Sequence, residues 1–208
     1  MKITSAARLR KKNFKTYQMD DIWARLFGKE LPFGHRVFFS GKAKCGKTTL
    51  AFEFAEWFQI NHGKALILCS EEGHDFNVQS RLDRMEAEGV HIAELERKDK
   101  STFDELTEVT SSGKPKIAAY KLIVIDSIQE FSLTLSQYRE LISMNRTAIW
   151  VGISQLNNKG KTGLAAWEHD VDALVTFKDG WANVTSRLLP NPIRKHLFDI
   201  NNRKVIGL

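Results

Sequence analysis

Nowhere in its 208 residues does the chain stay apolar for the roughly 18 positions that a membrane-spanning helix needs. The N-terminus also lacks the apolar core of a secretory signal, so a cytoplasmic protein with no membrane partner is expected. Cysteine is scarce: the chain has 2, Cys45 and Cys69, too few for a disulfide framework, and both read as reduced thiols. Neither these nor the scattered histidines His62, His74, His91, His169 and His196 fall into zinc-ligand spacing. Internal repeats and low-complexity linkers are missing as well, which excludes solenoid and tandem-array architectures.

What is present suits one domain with a substantial core. Apolar residues make up 42% and charged residues 27% of the chain, ordinary proportions for a globular protein. The net charge of +6 leaves room for nucleic-acid binding without requiring it. Much of the excess sits at Arg8, Arg10, Lys11, Lys12 and Lys15, so residues 1–17 read as a basic arm, extended or loosely ordered, ahead of a folded domain over 18–208. A solvated tail explains such an arm as well as a DNA contact does.

The most specific signal is Gly41-Lys42-Ala43-Lys44-Cys45-Gly46-Lys47-Thr48, a complete G-x-x-x-x-G-K-[ST] string. An apolar run, Val37-Phe38-Phe39, precedes it and a helical pattern over 48–60 follows, which is the strand–loop–helix setting the string requires. Glycines let backbone N–H groups wrap an anion, and the helix N-terminus adds positive potential. Residues 41–49, ending in Thr49, therefore read as a triphosphate cradle. In it Lys47 would reach the β- and γ-phosphates and the Thr48 hydroxyl would ligate magnesium. ATP and Mg²⁺ are the expected cofactors.

Periodicity supplies the frame. Leu50, Phe54 and Phe58 recur four apart, with Ala51 and Ala55 alongside, a stripe suited to packing on a sheet. Ala65-Leu66-Ile67-Leu68 and Leu122-Ile123-Val124-Ile125 are short, wholly apolar strands of the kind buried on both faces of a parallel sheet. A helix is expected near 19–27, then a strand at 35–40. Further helices are expected near 75–88, 102–111 and 136–144, with strands near 90–94 and 147–153. From about residue 173 the pattern becomes strand after strand: 173–177, 181–187, 197–200 and 204–206. The fold class that follows is α/β, a mostly parallel central sheet flanked by helices, with an antiparallel C-terminal edge.

Three strand ends complete the candidate site. Asp126 closes an apolar strand, as a magnesium-holding carboxylate does downstream of a phosphate loop. Cys69-Ser70-Glu71-Glu72 ends another strand, which makes Glu72, or Glu71 beside it, the candidate for orienting the attacking water. Ser154-Gln155 ends a third, where an amide could sense the γ-phosphate. Solvated loop carboxylates and a plain loop amide are the plain alternatives.

These residues resemble the RecA superfamily, in particular RadA-like and replicative-helicase-like ATPases. Val124-Ile125-Asp126-Ser127-Ile128-Gln129 looks like the V-I-D-S-I-Q of RadA. Ser70-Glu71-Glu72, followed by Arg81 and Arg84, is similar to its S-x-E-E and R-x-x-R. Ser154-Gln155-Leu156-Asn157 resembles the helicase sensor segment, and Glu168-His169-Asp170-Val171-Asp172 resembles L-E-H-x-V-D. Thr185-Ser186-Arg187 sits where RadA carries K-N-R, with only the arginine retained. The resemblance covers about residues 30–190, without a zinc finger or protease-like domain, as in short RecA-like ATPases of phages and mobile elements. It implies a RecA-like core and DNA-stimulated ATP hydrolysis in recombination, repair or replication. It also implies a ring or filament of identical subunits, in which Arg187 would reach a neighbour's γ-phosphate or else form a structural ion pair.

Single-stranded DNA is the further partner expected. The loop Asn157-Asn158-Lys159-Gly160-Lys161-Thr162-Gly163 is polar and basic, and Lys159 with Lys161 suits phosphate contacts. Two other classes stay open: a nucleotide-dependent switch or assembly ATPase acting on proteins, and a small-molecule kinase. No Arg-rich lid or acceptor pocket is evident for the kinase.

Overall fold

The computed structural model describes residues 4–69, 76–85, 89–93, 101–156, 165–196, 198–199 and 204–205. In chain order the elements are α1 (Ala6–Arg10), β1 (Thr16–Gln18), α2 (Asp21–Phe27), β2 (Glu30–Pro32), β3 (Arg36–Gly41), α3 (Lys47–His62), β4 (Ala65–Cys69) and α4 (Phe76–Met85). After these come β5 (His91–Ala93), α5 (Thr102–Thr107), β6 (Leu122–Asp126), α6 (Leu135–Met144), β7 (Ile149–Gln155) and α7 (Ala165–Asp170). The chain closes with β8 (Ala173–Lys178), β9 (Trp181–Ser186), β10 (Ile193–His196), β11 (Phe198–Asp199) and β12 (Lys204–Val205).

The central sheet runs in the order β10-β9-β8-β3-β7-β6-β4-β5. From β8 to β5 every neighbouring pair is parallel, and β9 and β10 add to the other side antiparallel. The expected fold class is therefore the one observed. Parallel strands need covered faces, and both are covered. On one side α2 and α3 bring Trp23, Leu26, Phe54 and Phe58 against Val37, Phe39, Val124 and Val151. On the other, Tyr138, Leu141 and Trp167 pack with Phe38, Ile123, Ile125 and Trp150. The stripe on α3 is wider than its four-residue spacing suggests, because Phe52 is buried too.

Ends shift where local chemistry stops an element. Ser101 caps α5 by accepting from the Asp104 amide, and the helix ends at Thr107 rather than 111 because Val109 bridges Pro115. Thr134 and Gln137 form a capping box at the start of α6. Asp179 and Gly180, at φ 50° and 79°, make the tight turn of the β8–β9 hairpin. The strand expected at 197–200 is β11, whereas β10 was not expected and forms because Ile193 to His196 pair with β9.

The N-terminal segment differs most from expectation. It holds α1, and β1 pairs with β2, so the boundary at residue 17 falls inside a strand. Tyr17 is buried, stacks on Phe33, meets Phe58 edge-on, and donates its hydroxyl to Thr147 O at 3.1 Å. Nothing local in a basic, polar stretch marks that residue as core; its partners lie far along the chain.

Candidate functional site: a phosphate loop beside an acidic strand end

Strand β3 ends at Gly41 in the middle of the sheet, and the chain turns through the glycine-rich segment into α3. Two residues of that turn, Lys44 at φ 60° and Gly46 at φ 99°, take the left-handed conformation that bends the backbone back on itself. Gly41 has no room for a side chain: an added Cβ would lie 2.7 Å from Cys45 Sγ and 3.0 Å from Phe177 O. Lys47 is 5% exposed, and its ammonium donates to Gly41 O at 3.0 Å and Lys42 O at 2.7 Å. The loop is thus curled around its own cation, with Lys42, Ala43 and Lys44 exposed at its crest.

Asp126 ends β6, two strands from β3, with β7 between them. Its carboxylate nevertheless accepts from the Thr48 hydroxyl at 2.6 Å. A hydroxyl and a carboxylate side by side suit a hard, oxygen-seeking cation. Among the described residues, no group of three or more His, Cys, Asp or Glu gathers as a metal cage. Magnesium is commonly held by one or two side chains together with waters and substrate phosphates. The residues present therefore fit a magnesium–triphosphate complex.

The intervening strand matters. Because β7 pairs with both β3 and β6, Gln155 lies level with Gly41 and Ile153 level with Asp126. The Leu156 amide donates to Gly41 O at 3.0 Å, tying the end of β7 to the loop. On the far side, Cys69 of β4 is level with Asp126. All four strand ends singled out from sequence thus reach one rim. Glu71 and Glu72 themselves, and Lys159 and Lys161, lie outside the described residues.

Gln129 is a residue that sequence reasoning passed over as a site member. It donates to Ser154 Oγ and, at 3.2 Å, to Gln155 O, so it braces the end of β7 from the turn after Asp126. Its position in the Asp126-Ser127-Ile128-Gln129 string was the available signal. Arg187 lies at the opposite end of the sheet. It donates to Asp172 Oδ1 at 3.1 Å and to His169 O at 3.4 Å, and Asp172 also holds Arg36. Asp170 binds both Arg36 and Arg139, which completes an ion-pair cluster below β3.

A strand, a glycine-rich turn, a helix and an acidic strand end on this topology define the P-loop nucleoside-triphosphate-binding fold with a RecA-like core. In its fold the chain is similar to the crystal structure of a KaiC-like protein from the hyperthermophilic archaeon Pyrococcus horikoshii OT3. The match has a TM-score of 0.58 and 15% identity, over 88% of this chain and 92% of that one. In sequence it is 32% identical over 135 residues to a thymidylate kinase of Trichormus variabilis, across 64% of this chain. The chain spans 61% of that relative's length. No protein-family model matches the chain.

Proposed function

We propose that the chain is a magnesium-dependent ATPase acting on DNA in recombination, repair or replication, of the type carried by phages and mobile elements. The observation that carries the reading is the Thr48–Asp126 contact beside a loop closed around its own lysine. Residues 41–49 would hold the phosphates through backbone N–H groups. Lys47 would exchange its two carbonyl partners for β- and γ-phosphate oxygens, while Thr48 and Asp126 offer oxygen ligands. Bound there, magnesium supplies charge neutralisation across those phosphates. Glu72, with Glu71 as the alternative, would accept the proton of the attacking water. The water oxygen bonds to the γ-phosphorus as the bond to the β–γ bridging oxygen breaks, and ADP leaves. The level alignment of Cys69 with Asp126 supports that assignment, and the alignment of Gln155 with Gly41 supports its role as sensor.

Arg187 stands roughly 15–20 Å from its own loop, about the length of a six-residue strand. It could therefore serve only a neighbouring subunit's triphosphate, in a ring or filament. Phe14 at 58% and Leu188 at 41% exposure line a groove with Lys12 and Pro32, which supports a role for the basic segment ahead of β1 in tethering neighbouring subunits. Lys159 and Lys161 would contact single-stranded DNA, and the setting is the cytoplasm. A second reading, phosphoryl transfer to a nucleoside monophosphate, is favoured by the identity to a thymidylate kinase.

ADP formation and phosphate release from ATP, measured separately, test both, with and without magnesium, single-stranded DNA and thymidine monophosphate. The expected result is magnesium-dependent release that DNA stimulates and that Lys47→Ala abolishes with the fold intact. Turnover that requires the monophosphate would establish the second reading, and turnover indifferent to DNA would point to a protein-directed switch. Failure to bind ATP at all would sink the proposal.

A further inference from the structure

Directly paired residues on neighbouring strands project to the same face of a sheet. In the antiparallel wing, Trp181 pairs with Lys178 of β8 and His196 of β10, and Asn183 pairs with Thr176 and Arg194. These six side chains therefore share one face. The other face carries Ala182, Val184 and Ile193 into the core. Among the described residues, helices cover the shared face only as far as Leu174, and Lys178, Trp181, Asn183, Thr185, Arg194 and His196 are all exposed. Arg194 lies over the Trp181 ring at 4.6 Å, and the His196 ring lies 5.0 Å from it at a 47° tilt. None of the residues of β8, β9 and β10 is acidic, and Lys178, Arg194 and Lys195 are all basic. The carboxylate next along the chain is Asp179, in the turn.

We propose that this face binds single-stranded nucleic acid, with a base stacked on Trp181 and the strand's phosphates held by Arg194 and Lys178. The composition selects the ligand. One large aromatic among cations, hydroxyls and an amide offers a stacking platform and a backbone track, the two parts of sequence-tolerant single-strand binding. It offers too little apolar area for the core of a protein interface. A duplex hides the faces of its bases, so Trp181 favours an unpaired strand. The platform lies at the loop end of the sheet: Trp181 pairs with Lys178, the residue after Phe177, and Phe177 pairs with Gly41. A strand bound there would run past the phosphate loop, where nucleotide state could alter its grip. The inference rests on the nucleic-acid part of the proposed function, but on residues separate from Lys159 and Lys161.

The test is fluorescence anisotropy of a labelled oligothymidylate of about 20 nucleotides, without ATP, at about 50 and about 200 mM salt. Trp181→Ala should raise the Kd roughly 5- to 150-fold, the equivalent of one stacked base, and Trp181→Phe should restore most of the affinity. Arg194→Ala should weaken binding and lower the salt slope by about one. Circular dichroism of each variant checks the fold; if Trp181→Ala unfolds, the contrast between Trp181→Phe and Arg194→Ala decides. Wild-type affinity in both Trp181→Ala and Arg194→Ala overturns the surface, and if a Lys159→Ala/Lys161→Ala variant is weakened alone, the loop survives as the DNA contact. If Trp181→Ala instead loses a fluorescent ATP analogue and keeps the oligonucleotide, the ring serves free nucleotide and the inference fails. Absence of any oligonucleotide binding beside intact ATP turnover removes the surface and leaves the ATPase standing.

Discussion

His35, at the foot of the strand that carries the phosphate loop, should make the protein acid-sensitive in a defined window. The residue is 4% exposed, its Nδ1 lies 3.9 Å from Asp172, and its Nε2 has no hydrogen-bond partner among the described residues. Burial pushes its pKa down from 6.5 to about 4; Asp172 opposes the shift, while Arg36 and Arg187 reinforce it. The native imidazole therefore stays neutral until about pH 4, whereas the unfolded chain takes up the proton near 6.5. Stability from this group is complete above the higher value and drains away as pH falls to the lower one. The loss approaches about 3 kcal/mol across the window, with about 2 kcal/mol of it gone by pH 5. For a domain of this size the loss by pH 5 corresponds to a fall of about 4–8 °C in Tm, and the loss across the whole window to about 6–12 °C. Thermal melts by circular dichroism from pH 8 to 4 would read it, with His35→Asn as the non-titrating reference. The asparagine variant should show a flatter pH dependence between 6.5 and 4, whatever its absolute stability. Parallel profiles for the two proteins would refute the assignment of that acid sensitivity to His35.

Two further outcomes follow from packing. The buried Asn145 side chain donates to Ile117 O and Tyr120 O and accepts from the Thr147 hydroxyl and the Ala148 amide. Asn145→Ala orphans these groups and should cost about 2–4 kcal/mol in urea unfolding; a cost below about 0.5 would mean water replaces them freely. An added Cβ on Gly152, in the middle of β7, would collide with Ile128 Cδ1 and press on Phe38 at 3.2 Å. Gly152→Ala should therefore cost about 1–3 kcal/mol, and an unchanged unfolding midpoint would show that Ile128 moves aside without penalty.

The parts of the site written in contiguous residues were legible before any coordinates. The string from Gly41 to Thr48 needs only local geometry, since its glycines, its lysine and the helix that follows act within eight positions. The strands ending at Cys69 and Asp126 were legible for a similar reason: a short apolar run between polar flanks has few places to go except a buried sheet. Gln129 was not, because its role depends on the end of β7, 25 residues away. Arg187 could be read two ways from sequence. Its pairing with Asp172 needed the β8–β9 hairpin to bring the start of one strand to the end of the other.

By itself the sequence determined an α/β chain with a phosphate loop and an acidic strand end, because periodicity and glycine placement act over a turn or two of backbone. The placing of β7 between β3 and β6, which sets Gln155 level with Gly41, and of Tyr17 in the core comes from long-range packing. Among the described residues, one face of the antiparallel wing is likewise left exposed around Trp181. Strand order and the covering of faces are settled by contacts between residues far apart along the chain, and a local pattern carries no record of its distant partner.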